Sequence, residues 1–122
     1  MNHPSYVLLY VADVPRSAEF YANLLALQPV ESSPGFALFV LSSGFKLGLW
    51  SRPAVLPPVA QERGGGELCI AVDTVAEVDA WVADGWTQGR HVLQPPTTMD
   101  FGYTAVVADP DGHRLRVFKP GA

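Results

Sequence analysis

The sequence predicts an α+β fold made of one strand–helix–strands unit used twice, and three observations carry that prediction. A strand, an amphipathic helix and two further strands run in that order up to about residue 50. The same order of element types returns after residue 66. Residues 51–66 lie between, with Pro53, Pro57 and Pro58 to stiffen them and Gly64, Gly65 and Gly66 to loosen them, which is the composition of a linker. The whole chain thus reads as a single domain, residues 1–122, of two modules at about 5–50 and 67–119.

The elements follow in order. Tyr6-Val7-Leu8-Leu9-Tyr10-Val11 is the first strand. Asp13 offers a helix N-cap and Pro15 suits a first helical turn. From Arg16 to about Leu27 the residues Phe20, Tyr21, Leu24, Leu25 and Leu27 recur at helical spacing, and Pro29 is expected to end the helix. Strands over Phe36–Leu41 and Phe45–Trp50 follow, joined by the turn Ser42-Ser43-Gly44. Glu67–Val72 opens the second half as a strand, and Val75, Val78, Trp81 and Val82 outline a helix that fades at Gly85. A hairpin spans Gly102–Ala108 and His113–Phe118 across the turn Asp109-Pro110-Asp111-Gly112.

The halves superpose in sequence. Tyr6 falls on Glu67, Val11 on Val72, Val14 on Val75 and Phe20 on Trp81, and later Gly44 falls on Gly112, Leu47 on Leu115 and Trp50 on Phe118. Internal duplication accounts for that order. The glycines at 64–66 do not read as a phosphate cradle, which needs a strand before them and a helix after.

Composition excludes several function classes. With 48% hydrophobic and 16% charged residues the chain can bury a core and is not a disordered one. A net charge of −4 opposes nucleic-acid binding, which needs a basic stripe. No apolar run reaches the roughly 18 residues of a membrane span and no signal peptide is evident, so a cytoplasmic location without membrane insertion is expected. The single cysteine, Cys69, rules out an internal disulfide; between Leu68 and Ile70 it is expected to be a buried, inert thiol. His3 precedes the first strand, His91 is expected in a loop and His113 at the start of the last strand. They share no ligand spacing and read as surface or turn residues.

One stretch raises a functional question. After the turn, alternation sends Leu115 and Val117 to one face and Arg114, Arg116 and Phe118 to the other. Arg116 is either a solvated charge or a guanidinium aimed into a cleft.

The segments YVLLYVADVPRSAEFYANLL, GELCIAV and DPDGHRLRVF resemble the glyoxalase, bleomycin-resistance and extradiol-dioxygenase superfamily, the vicinal oxygen chelate fold, over essentially the whole chain. The resemblance implies two βαβββ modules whose curled mixed sheets form a cavity. In the enzymes of that group, four inward positions hold a divalent metal through His, Gln or Glu. Matched by position, those sites fall on Tyr6, Gly48, Glu67 and Arg116. A phenol, a missing side chain, one carboxylate and a cation without a lone pair do not make a metal site, so no cofactor is expected.

LYVADVPRSAEFY, SSGFKLGLWS, GELCIAV and FGYTAVVADPDGHRLRV are most similar to the metal-free phenazine antibiotic resistance binding proteins. That similarity implies non-catalytic binding and sequestration of a planar aromatic antibiotic by a homodimer. It also implies that Tyr6, Leu8 and Tyr10, Lys46, Gly48 and Trp50, and Glu67, Cys69 and Arg116 face the cavity. Trp50 then supplies a stacking wall and Gly48 an open floor beside it. Glu67 and Arg116 are expected to meet as a bidentate pair, either as a structural ion pair or with Arg116 also contacting a ligand carboxylate. Phe101, in the loop 95–102, and Tyr103 after it form either a lid or a dimer contact. The alternative is a glyoxalase- or dioxygenase-like enzyme acting on a small aromatic or carbonyl substrate, for which Tyr6, Tyr103 and Glu67 are the acid–base candidates.

Overall fold

A computed structural model of the chain describes residues 5–56, 58, 67–83 and 91–121. The chain divides into two compact units, Met1–Arg63 and Gly64–Ala122.

The first unit runs β1 (Tyr6–Val11), α1 (Val14–Leu25), β2 (Glu31–Ser33), β3 (Phe36–Val40) and β4 (Lys46–Ser51). Its four strands lie in the order β1-β4-β3-β2, with β1 parallel to β4 and the other neighbours antiparallel. Asp13 caps α1 as its sequence position predicts: the carboxylate accepts the Arg16 N–H at 3.1 Å. The helix ends earlier than Pro29 would dictate. Ala26 turns into the left-handed region at φ 53 and the Leu27 N–H returns to the Ala22 carbonyl, so the chain has left the helix before the proline arrives. One face of the sheet packs on α1 through Val11, Ala37, Phe39, Leu47 and Leu49, all buried with Tyr21. Ser51 closes β4 and Arg52–Ala54 add one 3₁₀ turn, so the linker expected from residue 51 begins as ordered structure; the glycines at 64–66 lie outside the described residues.

The second unit repeats the plan with β5 (Glu67–Ala71), α2 (Val75–Ala83), β6 (His91–Met99), β7 (Gly102–Ala108) and β8 (Arg114–Pro120). Its order is β5-β8-β7-β6, again with a parallel pair, β5 and β8, at one side. Thr74 starts α2: its hydroxyl accepts the Glu77 N–H at 3.2 Å and donates to the Glu77 carboxylate at 3.0 Å. Gly85, where that helix was expected to fade, lies outside the described residues. Val78, Ala105 and Val117 form the core under α2, with Trp81, Val82 and Tyr103 packed around them. The fold is therefore the α+β pair of βαβββ modules predicted.

Two strands are absent from the sequence reading. β2 is three polar residues, Glu-Ser-Ser, with no alternation to announce it. The loop expected around His91 and through Pro95-Pro96 is strand β6. Proline cannot donate to a ladder, but β6 is an edge strand, and its pairing with β7 slips between Val92 and Gln94 and again between Gln94 and Thr97. An edge position and these irregularities accommodate the two prolines. His113 precedes β8 instead of starting it. It lies in the turn, where the buried Asp109 carboxylate accepts the N–H groups of Asp111 and His113 at 2.9 and 2.8 Å and meets the His113 ring at 2.8 Å. Asp109 thereby fixes where β8 begins, and so which way Arg116 points.

No helix among the described residues is long and apolar enough to cross a membrane.

Candidate functional site: an aromatic face and a guanidinium network

In the first unit, the sheet face away from α1 is largely apolar and aromatic, with Lys46 paired to Tyr6 at one end and Glu31 beside Leu38 at its edge. The register places Tyr10 and Phe36 on either side of Trp50, and Leu8 and Leu38 on either side of Gly48. An open pocket of ≈ 710 Å³ is lined by Tyr6, Val7, Leu8, Tyr10, Phe36 and Trp50. That volume lies within the range of small-molecule sites, roughly 300–1,000 Å³. The Tyr10 and Trp50 rings meet edge to face, with centroids 6.4 Å apart, so Tyr10 sets the orientation of the indole. Tyr6 is 42% and Leu8 39% exposed, values that leave large apolar side chains free to meet a ligand.

Gly48 needs a correction. The room left by its missing side chain is not an open floor. A Cβ there would come within 2.7 Å of Leu8 Cδ2 and 3.1 Å of Phe36 Cζ, so these two side chains occupy the space. Gly48 is a seat for Leu8 and Phe36. Phe36, not singled out from the sequence, is the residue found by following the register across from Trp50.

In the second unit, the face away from α2 carries Arg116 and its partners. Arg116 Nε donates to Glu67 Oε1 at 2.6 Å. The pair is made through one donor and is not bidentate: Nε alone reaches Glu67, while Nη1 donates to Gln94 Oε1 at 3.3 Å and to Thr104 Oγ1 at 3.2 Å. The guanidinium also lies 5.7 Å from the Phe101 ring centre, a cation–π distance, and Phe101 meets Phe118 edge to face at 6.1 Å. The hydrogen bond from Arg116 holds the Glu67 carboxyl below the usual carboxylate range, against a smaller opposing effect of burial. Gln94 escaped notice because Pro95-Pro96 masks the strand it belongs to. Thr104 was legible in principle, since it shares a face with Gly102 and Val106 opposite Arg116.

Cys69 is exposed and not buried, because alternation in β5 puts it on the face with Glu67, opposite Leu68 and Ile70. Its Sγ lies 3.8 Å from Glu67 Oε1, and burial followed by the adjacent carboxylate pushes the thiol pKa up. That shift disfavours the thiolate, the reactive form of the group. Tyr103 is also corrected. It points to the α2 side, where its hydroxyl donates to Asp79 Oδ1 at 2.7 Å and its ring packs on the core. It is on the opposite face from Arg116 and is no lid over it. Phe101, 46% exposed in the two-residue turn between β6 and β7, keeps its place beside the guanidinium.

Two βαβββ units, each with a parallel pair and a face left clear of its helix, define a glyoxalase-like protein. The chain belongs to the Glyoxalase/Bleomycin resistance protein/Dioxygenase superfamily, whose sequence profile matches residues 3–117. It is 33% identical over 117 residues to the phenazine antibiotic resistance protein EhpR of Enterobacter agglomerans, covering 93% of this chain and 89% of that protein. A solution structure of an Agrobacterium tumefaciens protein is 51% identical, covers both chains fully and superposes with a TM-score of 0.86. A glyoxalase-related enzyme from Fulvimarina pelagi shares the fold at 24% identity with a TM-score of 0.86, over 98% of this chain and 88% of its own.

The family's enzymes imply a divalent metal, and the residues here do not fit one. Of the corresponding positions, Gly48 has no donor, Arg116 has no lone pair, and Glu67 is engaged by Arg116. Among the described residues no three of His, Cys, Asp and Glu gather as a metal site. A chelator is expected to leave the melting temperature of the purified protein unchanged. A drop of several degrees would reveal a structural metal, since such an ion contributes directly to folding.

Proposed function

We propose that this protein binds and sequesters a planar aromatic antibiotic of the phenazine class without transforming it, and so confers resistance. The observation that carries the reading is the aromatic face of the first unit, where Tyr6, Tyr10, Phe36 and Trp50 line one open pocket. Flat rings bury area on such a surface and gain about 0.5–1.5 kcal/mol beyond burial for each well-placed aromatic pair. The likeness to EhpR supports the choice of ligand. Two of the acid–base candidates, Glu67 and Tyr103, favour binding over catalysis. Glu67 is a weakened base in the grip of Arg116, and the hydrogen bond to Asp79 raises the Tyr103 pKa, making that phenol a weaker acid. The working species is a homodimer, the assembly most common among symmetric oligomers, acting in the cytoplasm.

Native mass spectrometry tests this in one measurement. Incubation with phenazine, acridine and anthraquinone is expected to give a dimer mass carrying at least one phenazine-type ring system, unchanged in mass after release. A protein that retains none of the three rules out the binding function. A released product of altered mass turns it into an enzyme.

A further inference from the structure

Residues an odd number of places apart in a regular strand face opposite ways, and five places put their Cα atoms roughly 16 Å apart. Gln94 and Met99 are five apart in β6, yet Gln94 Nε2 lies 3.5 Å from the Met99 sulfur. The slipped pairing explains the meeting. Gln94 stands opposite Val106 and Met99 opposite Gly102, so five steps along β6 are matched to four along β7. The extra residue is taken up at Pro95-Pro96, which turns Met99 to the side of the sheet that carries Gln94 and Arg116.

Gln94 is thereby engaged at both ends of its amide. Its oxygen accepts Arg116 Nη1 at 3.3 Å while its nitrogen donates to the Met99 sulfur. Arg116 continues the chain to Glu67, and the Cys69 thiol joins Glu67 in turn, so hydrogen bonds run across the sheet from β6 to β5. The link at Met99 is the weak one, because a thioether is a poor acceptor. It is also open to solvent, with Met99 42% exposed. Oxidation of a thioether needs no prior loss of a proton, whereas the thiol of Cys69 reacts as a thiolate that its surroundings disfavour. The other methionine of the sequence, Met1, lies outside the described residues.

We infer that Met99 is a redox modification site and that its sulfoxide tightens the hold of Gln94 on Arg116. With hydrogen peroxide as the oxidant, a sulfur lone pair attacks one peroxide oxygen, the O–O bond breaks and an S–O bond forms. The departing hydroxide takes the proton of the transferred oxygen and leaves as water. Sulfur loses two electrons and the peroxide gains them. The sulfoxide oxygen is a strong acceptor where the sulfur was a weak one. Gln94 Nε2 donates to it, the amide is polarised further, and the amide oxygen becomes a better acceptor for Arg116. The modification reaches the guanidinium through Gln94, and it does so whatever ligand the protein takes.

The test treats the purified, ¹⁵N-labelled parent with hydrogen peroxide and follows it by peptide mass mapping and NMR. Mapping is expected to find one added oxygen on the peptide that holds Met99. The Arg116 Nε–H signal, assigned by its loss in Arg116→Lys, is expected to shift in step with the oxidised fraction. Its exchange with water is expected to slow by about two- to fivefold, the change that one strengthened neutral hydrogen bond brings. Methionine sulfoxide reductases for both epimers are expected to restore the original signal. In Met99→Leu the same treatment should leave the Arg116 signal in place, which separates Met99 from Cys69 and Met1. In Gln94→Leu, Met99 should still gain its oxygen while the Arg116 signal stays still. An unmoved Arg116 signal in a parent whose Met99 carries the oxygen overturns the coupling. So does faster exchange, or a shift of equal size in Gln94→Leu. A Met99 left unmodified by peroxide that converts free methionine removes the site itself.

Discussion

Among the described glycines, Gly102→Ala is expected to be the most damaging substitution, lowering stability by at least about 3 kcal/mol. Gly102 opens β7 at φ 145, a backbone conformation that side-chain-bearing residues rarely adopt. It sits opposite Pro120, and an added Cβ would run into the Lys119 carbonyl oxygen, with Gly121 N and Pro120 Cα also within 3.0 Å. All three obstacles are backbone, so no rotamer change relieves them. The ladder between β7 and β8 must open at that end or the turn must re-form. For a chain of this length such a loss lowers the melting temperature by about 10–15 °C. The consequence for function follows from geometry. Gly102 follows Phe101 directly, and the Phe101 carbonyl accepts the Gly121 N–H at 3.0 Å, so the strain reaches the ring that flanks Arg116. Thermal denaturation of Gly102→Ala beside Gly35→Ala, where an added Cβ meets nothing within 4 Å, is the measurement. Equal melting temperatures for the two variants would show that the β7 end yields without cost.

Most of the fold was legible because its signals were local. Asp13 and Pro15 mark a helix start, Asp109-Pro110-Asp111-Gly112 marks a hairpin, and the repeated order of elements marks two modules. The direction of Arg116 was legible from alternation alone, since Leu115 and Val117 had to face the helix. What failed was non-local. Nothing in Glu31-Ser32-Ser33 distinguishes a strand from a loop until β3 is there to pair with it. Pro95-Pro96 argues against a strand unless that strand is known to be an edge with slipped pairing, and that fact belongs to the sheet. Tyr103 was misplaced for a simpler reason. Taken with Phe101 as part of a loop, it lost its phase; counted from Ala105 along β7, it falls on the helix side. The phase rule that placed Arg116 correctly also exposes Cys69, once Leu68 and Ile70 are taken as the inward pair.

The pocket of the first unit makes the sharpest claim about binding, because two tryptophans of similar burial are assigned opposite roles. Trp50 lines the pocket, is partly exposed, and touches Tyr10 edge to face. Trp81, also partly exposed, packs against the Val78, Ala105 and Val117 core of the other unit. Trp50→Ala is expected to weaken binding of phenazine by about 1–3 kcal/mol, combining lost ring stacking with lost buried area, which is about a 5- to 150-fold rise in Kd. Its melting temperature should fall little, because the indole leaves a surface pocket and not a sealed cavity. Trp81→Ala is expected to behave in the opposite way, with stability lower by about 3 kcal/mol and affinity close to the parent's, since the lost ring leaves a void under α2. Phenazine should also quench tryptophan fluorescence in the parent and in Trp81→Ala, and much less in Trp50→Ala. Paired titrations and melts of the two variants decide the matter. Should Trp50→Ala bind phenazine as tightly as the parent and melt far lower, its indole is a structural residue and the aromatic face is not where the ligand sits.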